Sequence, residues 1–402
     1  MRHKSSLRRE PAGHRISVQI WLVMDVDRVV RAAAAVLGKP LRDPSDLSGS
    51  ERSAVLRCTL PDGGSVVVKA YPQTRAGRRG CAAEAAGLEF SSTLPSGGSG
   101  PRLLGVDREI PLVVMSDLGS APSLADLLLG SSQSAAVRAW LDWSVACGRL
   151  AAASAGCQDQ FLRIRGQYGG APDSRWLSDC VLKTADLVVP LGIGVPAGLA
   201  ADLADVVAGW EHGYQVFSPG DICPDNNLVT AAGIRFVDFE SAEFHSVFLD
   251  AAYLRMPFST CWCVLRMPPG LAAAGESAYR REVVTAFPDL ASDAAWEAGA
   301  LRASAAWTIH AMSYLLDRAV SGDASMNDDV AAAPGRRQLL RYRWQTLGDQ
   351  LGAAGALPAL AELMRRLLSA TEHWRALALP LYPALRLITD DGSDDEPSSV
   401  MR

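Results

Sequence analysis

The chain has 402 residues, 49% hydrophobic and 21% charged, with a formal net charge of −5. That length allows two lobes, each with its own core, and the composition argues against disorder over most of the chain. The acidic balance and the lack of a long basic stretch in the body argue against nucleic acid as a partner, since affinity for a phosphate backbone needs clustered Lys and Arg.

Residues 1–15 carry Arg2, Lys4, Arg8, Arg9 and Arg15, but no signal-peptide core follows. The apolar stretch Ile16 to Met24 is short and interrupted by Ser17 and Gln19. No uncharged run approaches the roughly 18 apolar residues of a membrane helix, so no membrane partner is expected, and the cysteine usage below goes with a cytoplasmic location. The eight cysteines include no C-x-x-C pair. Cys261 and Cys263 flank Trp262, and Cys223 lies upstream. This spacing does not present four zinc ligands, and reduced, mostly buried thiols are expected.

In chain order, Val55 to Tyr71 reads as two apolar strands around the turn Pro61-Asp62-Gly63-Gly64. A helix is expected from about Arg79 to Ser91, where small residues permit close packing and Gly87 weakens the pattern. The Ser/Gly loop Pro95 to Gly100 leads to another apolar strand through Val113-Val114-Met115. Residues 123–160 and 197–212 have helical periodicity, and a short β-rich segment follows at 215–240. From about Asp250 to Ala384 the pattern is again helical, broken at Pro268-Pro269 and between Gly322 and Gly335. Acidic residues from Asp390 to Glu396 read as a solvated, disordered end.

The segment richest in chemistry is Pro219-Gly220-Asp221-Ile222-Cys223-Pro224-Asp225-Asn226-Asn227, followed after a hairpin by Val237-Asp238-Phe239-Glu240. A D-x-x-x-x-N pattern and then D-F-E suit phosphoryl transfer, which depends on positioning and charge neutralisation. Asp221 can orient a hydroxyl and accept its proton. Asn226 and Asp238 offer the hard oxygen ligands that Mg²⁺ prefers. Upstream, Lys69 ends an apolar strand, where it can hold phosphates as a point charge. Glu84 in the following helix can pair with it, with Glu89 as the competing partner. Asp225, Glu240 and Glu243 are either the acids of a pocket for a cationic substrate or solvated loop residues. His245 reads as a satisfied structural histidine.

This ordered set resembles the aminoglycoside phosphotransferase and choline kinase-like superfamily, with its H-G-D-x-x-x-x-N loop and I-D-F-E-like motif, over about residues 45 to 255. The resemblance implies an α+β, two-lobed, protein kinase-like fold: a β-rich N-lobe with one main helix and a largely helical C-lobe. The implied division is a leading segment at 1–44, a nucleotide-binding lobe at 45–118, a helical lobe carrying the catalytic loop at 119–385, and the acidic tail at 386–402. It further implies a catalytic Asp221, magnesium held by Asn226 and Asp238, and ATP held by Lys69 with Glu84. Ser50 would touch phosphate from the loop before the first strand, and the Ser116 carbonyl and Leu118 amide would face the adenine edge. Asp250 is similar to the family's structural aspartate. One departure is that Pro219 stands where the family has a histidine. The expected acceptor is a hydroxyl of a small metabolite or antibiotic. A Ser or Thr of a peptide substrate, or a nucleotide-binding pseudokinase, are the alternatives.

Overall fold

The computed structural model describes residues 25–47, 53–95, 98–169, 175–211, 213–256, 258, 261–327, 330 and 333–386. The basic N-terminal stretch, Ser50 and the acidic tail from residue 387 lie outside them. Five antiparallel strands form one sheet in the order β1-β2-β3-β5-β4. They are β1 (Arg42–Asp46), β2 (Ala54–Thr59), β3 (Ser65–Ala70), β4 (Leu103–Asp107) and β5 (Leu112–Ser116).

The β2–β3 hairpin runs in register from Ala54↔Ala70 to Thr59↔Ser65, as the alternating apolar pattern requires. Its turn closes through Gly63, whose φ of 83° lies in a region that an L side chain resists. One face of the sheet is covered by α1 (Val26–Leu37), an Ala-rich helix that the sequence patterning does not single out. Its Val29, Ala32 and Ala33 pack on Leu56, Cys58, Val66, Val68 and Val114. Helix α2 (Arg75–Thr93) lies against the rest of the protein, extending the expected helix at both ends.

The remaining chain is largely helical. The first group comprises α3 (Leu124–Leu129), α4 (Gln133–Ser154), α5 (Gln158–Tyr168), α6 (Trp176–Leu182), α7 (Thr184–Val188) and α8 (Leu199–Glu211). The second comprises α9 (Val247–Arg255), α10 (Pro269–Val283), α11 (Asp293–Ser321), α12 (Arg336–Ala354) and α13 (Pro358–Ala370). Between them lie two small antiparallel pairs: β6 (Gln215–Ser218) with β9 (Glu243–Ser246), and β7 (Asn227–Thr230) with β8 (Gly233–Phe236). Among the described residues no helix is long and apolar enough to cross a membrane.

Helix α2 joins the sheet to the helical part through aromatic packing. Phe90 sits 4.8 Å from Phe217 and 5.5 Å from Phe161 between ring centroids, all fully buried. Gly87 on the same helix shows why a poor helix former stands there. A Cβ at this position would come within 2.7 Å of Ala242 Cβ and 2.9 Å of Phe239 Cβ. The absent side chain lets α2 approach the segment after Asp238. In an exposed helix, Gly→Ala would stabilise by about 1 kcal/mol. Here the steric clash outweighs that gain, so Gly87→Ala is expected to destabilise the fold by about 1–3 kcal/mol, read as a lower urea midpoint at unchanged m-value.

Candidate active site

Lys69 is the penultimate residue of β3 and points into the protein, where it is 4% exposed. Its Nζ donates to Glu84 Oε2 at 2.9 Å and to Asp238 Oδ1 at 2.5 Å, and lies 3.4 Å from Glu240 Oε2. The Tyr71 hydroxyl donates to the same Glu84 oxygen at 3.0 Å. Burial opposes the charge on Lys69, but the Glu84, Asp238 and Glu240 carboxylates outweigh it and hold the ammonium pKa above its ordinary value. Burial also pushes the Glu84 pKa up, with Lys69 working against it. Of the two candidate glutamates, Glu84 takes Lys69. Glu89 instead accepts a hydrogen bond from the Tyr168 hydroxyl.

Asn226 and Asp238 flank the β7–β8 hairpin, whose register pairs Asn227 with Phe236. The Val237 amide donates to the Asn226 carbonyl at 2.9 Å, tying the two candidate ligands together through the main chain. Asp238 has a φ of 68°. Asp tolerates this region better than most residues, and such backbone collects at functional sites. Asn226 Nδ2 donates to the Asp221 carbonyl at 3.2 Å, joining the two ends of the D-x-x-x-x-N loop. Asp221 Oδ1 accepts from the Cys223 amide at 3.3 Å.

Gly220 is forced by its surroundings. Its φ is 88°, and a Cβ there would lie 2.1 Å from the Ser241 carbonyl oxygen. The loop carrying Asp221 therefore abuts the turn after Asp238. Its other support is a polar chain. The Gly220 amide donates to Ser218 Oγ at 3.1 Å, Ser218 Oγ donates to Asp250 Oδ1 at 3.1 Å, and His245 Nε2 lies 3.0 Å from that same oxygen. Pro219 supplies neither an N–H nor an imidazole, so Ser218, Asp250 and His245 brace the loop from beneath. No signal in the sequence marks Ser218.

Each of the three acids considered for a cationic-substrate pocket has another engagement. Glu240 faces Lys69, Glu243 Oε1 lies 3.8 Å from His245 Nδ1, and Asp225 Oδ2 accepts from Trp262 Nε1 at 2.9 Å. Burial, followed by Asp221, pushes the Asp225 pKa up. The expected reduced state of all the thiols is also corrected: Cys261 and Cys263 are joined as a disulfide.

Ser116 ends β5 opposite Val66, and its hydroxyl accepts from the Arg102 amide at 2.9 Å. Between Ser116 and Leu118, Asp117 turns to the sheet. It takes Arg57 Nε at 2.6 Å and Nη2 at 3.0 Å, and Ser65 Oγ at 2.7 Å. Burial works against that carboxylate, yet the bonds from Arg57 and Ser65 hold its pKa below the usual range. Two surface cavities of about 210 and 470 Å³, lined by Arg78, Val106, Arg108 and Tyr168 among others, contain none of the candidate catalytic, metal or nucleotide residues among the described ones.

No family model matches the chain, and no curated protein matches it. Solved structures do. A choline kinase from Cryptosporidium parvum Iowa II superposes with a TM-score of 0.50 at 10% identity, over 85% of this chain and 100% of that one. A choline/ethanolamine kinase family protein from Mesorhizobium loti gives 0.48 at 14%, over 84% and 100%. A macrolide 2'-phosphotransferase from Brachybacterium faecium gives 0.46 at 14%, over 74% and 93%.

The brace beneath the loop has a definite pH signature. Burial alone would drive the proton off His245, but Asp250 and then Glu243 outweigh it and push its pKa up to about 10, from an ordinary value of 6.5. The folded state binds this proton more tightly than the unfolded one. The stabilisation is therefore complete below pH 6.5 and is lost as pH rises towards 10. His245→Gln is expected to cost about 3 kcal/mol at pH 6, with the difference from wild type shrinking between pH 7 and 10, measured by urea unfolding across that range. A difference that stays constant with pH would rule out the charged pair as its cause.

A five-stranded antiparallel sheet, a Lys–Glu pair from strand to helix, and a helical part carrying the D-x-x-x-x-N loop and D-F-E turn together give this chain the protein kinase-like fold of choline kinase.

Proposed function

We propose that the chain is an ATP-dependent phosphotransferase that moves the γ-phosphate to a hydroxyl of a small molecule. The observation that supports this best is the convergence of Lys69, Glu84 and Asp238, drawn from the strand, the helix and the turn after the hairpin. Three carboxylates face one ammonium there, and the excess negative charge is what a divalent cation offsets. The available donors are carboxylate and amide oxygens, the hard set that Mg²⁺ takes.

Asn226 and Asp238 would hold that ion. When bound, it neutralises phosphate charge as the phosphoryl group transfers. Lys69 would bind phosphate oxygens as a point charge, and Glu84 with Tyr71 keeps its ammonium in place. Asp221 would orient the acceptor hydroxyl and take its proton on a carboxylate oxygen. The Ser116 carbonyl and Leu118 amide would meet the base edge, since Asp117 is committed to Arg57 and Ser65. Ser50 would add a phosphate contact from outside the described residues. The cytoplasm, where ATP is supplied, is the location that goes with this activity.

Two measurements test it. Mg·ATP is expected to raise the melting temperature of the wild type and to leave Asp238→Ala unmoved. Asp221→Asn is expected to keep that thermal shift while losing phosphotransfer by about 10²–10⁴-fold in kcat. Full turnover by Asp221→Asn would falsify the assignment of the base, and a wild type that ignores Mg·ATP would remove the nucleotide site.

A further inference from the structure

The D-x-x-x-x-N loop carries a second set of ligand-type side chains on its other flank. Cys223 Sγ, an Asp225 carboxylate oxygen and Cys261 Sγ all lie within 4.8 Å of one another. Cys263 Sγ is bonded to Cys261 Sγ, so a further sulfur stands beside this set, outside its mutual 4.8 Å reach. Two sulfurs and one carboxylate thus converge, with a third sulfur one bond away, from two segments far apart in sequence: the loop after Asp221 and the turn that follows α9. Ligand atoms about 2.3 Å from a tetrahedral ion sit about 3.8 Å apart, which this cluster can meet with small movements.

Three further features suit bound metal. Asp225 Oδ2 is held by Trp262 Nε1 at 2.9 Å, while Oδ1 faces Cys261 Sγ at 3.9 Å. The ligand carboxylate is thereby oriented by an outer partner, as metal ligands commonly are. The Cys263 amide donates to Cys261 Sγ at 3.1 Å, a bond that strengthens when the sulfur is a thiolate. The fully buried Arg343 guanidinium lies close enough to Cys223 to interact electrostatically, placing positive charge near a thiol that must lose its proton.

We infer that the dithiol form of this protein binds one thiophilic divalent cation of the zinc class at Cys223, Asp225, Cys261 and Cys263, clamping the loop that carries Asp221 and Asn226 to the turn after α9. The closed, largely buried ligand set is that of a structural ion. Reaching the dithiol form requires a reductant. A trialkylphosphine serves: with one water it converts the Cys261–Cys263 disulfide to two thiols, and the phosphine leaves as its oxide. Ligand thiols then give their protons to solvent as the ion binds.

The test uses the full chain, reduced with a trialkylphosphine and without nucleotide, so its outcome is independent of phosphotransfer. Zinc is titrated against a chromophoric chelator, and Co²⁺ substitution reports thiolate-to-metal charge transfer. One equivalent of zinc, a sulfur-to-cobalt band and slowed hydrogen exchange in the peptide spanning 221–226 are expected. Cys223→Ser and Cys263→Ser should each weaken zinc by more than the roughly tenfold that loss of an outer partner costs. Wild type with its disulfide intact should also bind at least about tenfold more weakly, a comparison that needs no variant to fold. Absence of zinc binding by the reduced, folded wild type would overturn the proposal. So would equal affinity in its oxidised form, or in a Cys223→Ser protein whose circular dichroism is unchanged.

Discussion

A single buried ammonium organises this molecule. Lys69 is nearly sealed from solvent, and an unpaired charge there would be prohibitively costly, so the carboxylates around it are a condition of folding. They come from separate parts of the chain: Glu84 from α2, Asp238 and Glu240 from the turn after β8. The sheet, its helix and the helical part meet at this point. Removing one partner of such a cluster leaves uncompensated charge, which explains why the two parts dock in one arrangement here.

Close steric contacts reinforce that electrostatic constraint. Phe239, the residue after Asp238, is fully buried and stacks over Phe217 at 6.2 Å with rings 19° apart. Gly87 lets α2 lie against it, and Gly220 lets the loop of Asp221 lie against Ser241. The D-F-E turn is therefore held between a helix and a loop that both lack side chains at the contact. The left-handed backbone of Asp238 persists because its neighbours on both sides are fixed.

Beneath the loop, a charged pair holds the main chain that leads to Asp221. Proline at 219 fixes its own φ but donates no hydrogen bond. The main chain instead reaches Asp250 through Ser218, and His245 supplies the positive charge that keeps the Asp250 carboxylate satisfied. The bond from Trp262 to Asp225 adds a second restraint on the same loop from its other flank.

The sequence by itself determined the local elements and the order of the candidate site residues. Alternation of apolar residues around Pro61–Gly64 specified the β2–β3 hairpin, because a shift of one residue would turn its core face outwards. The succession Lys69, Glu84, Asp221, Asn226, Asp238 was legible because a phosphoryl-transfer site would need groups of those types and the segments bearing them are short. What tertiary structure decided concerns side chains brought together from distant segments. It chose Glu84 over Glu89, turned Asp117 to Arg57 and Ser65, put Ser218 and His245 under the loop, and gathered Cys223 and Asp225 with Cys261. Spacing along a chain carries no information on such meetings, since they depend on how helices pack many residues later. Helix α1 is illegible for a related reason: its buried face of Val29, Ala32 and Ala33 is small, and only the sheet it covers shows that it is a core face.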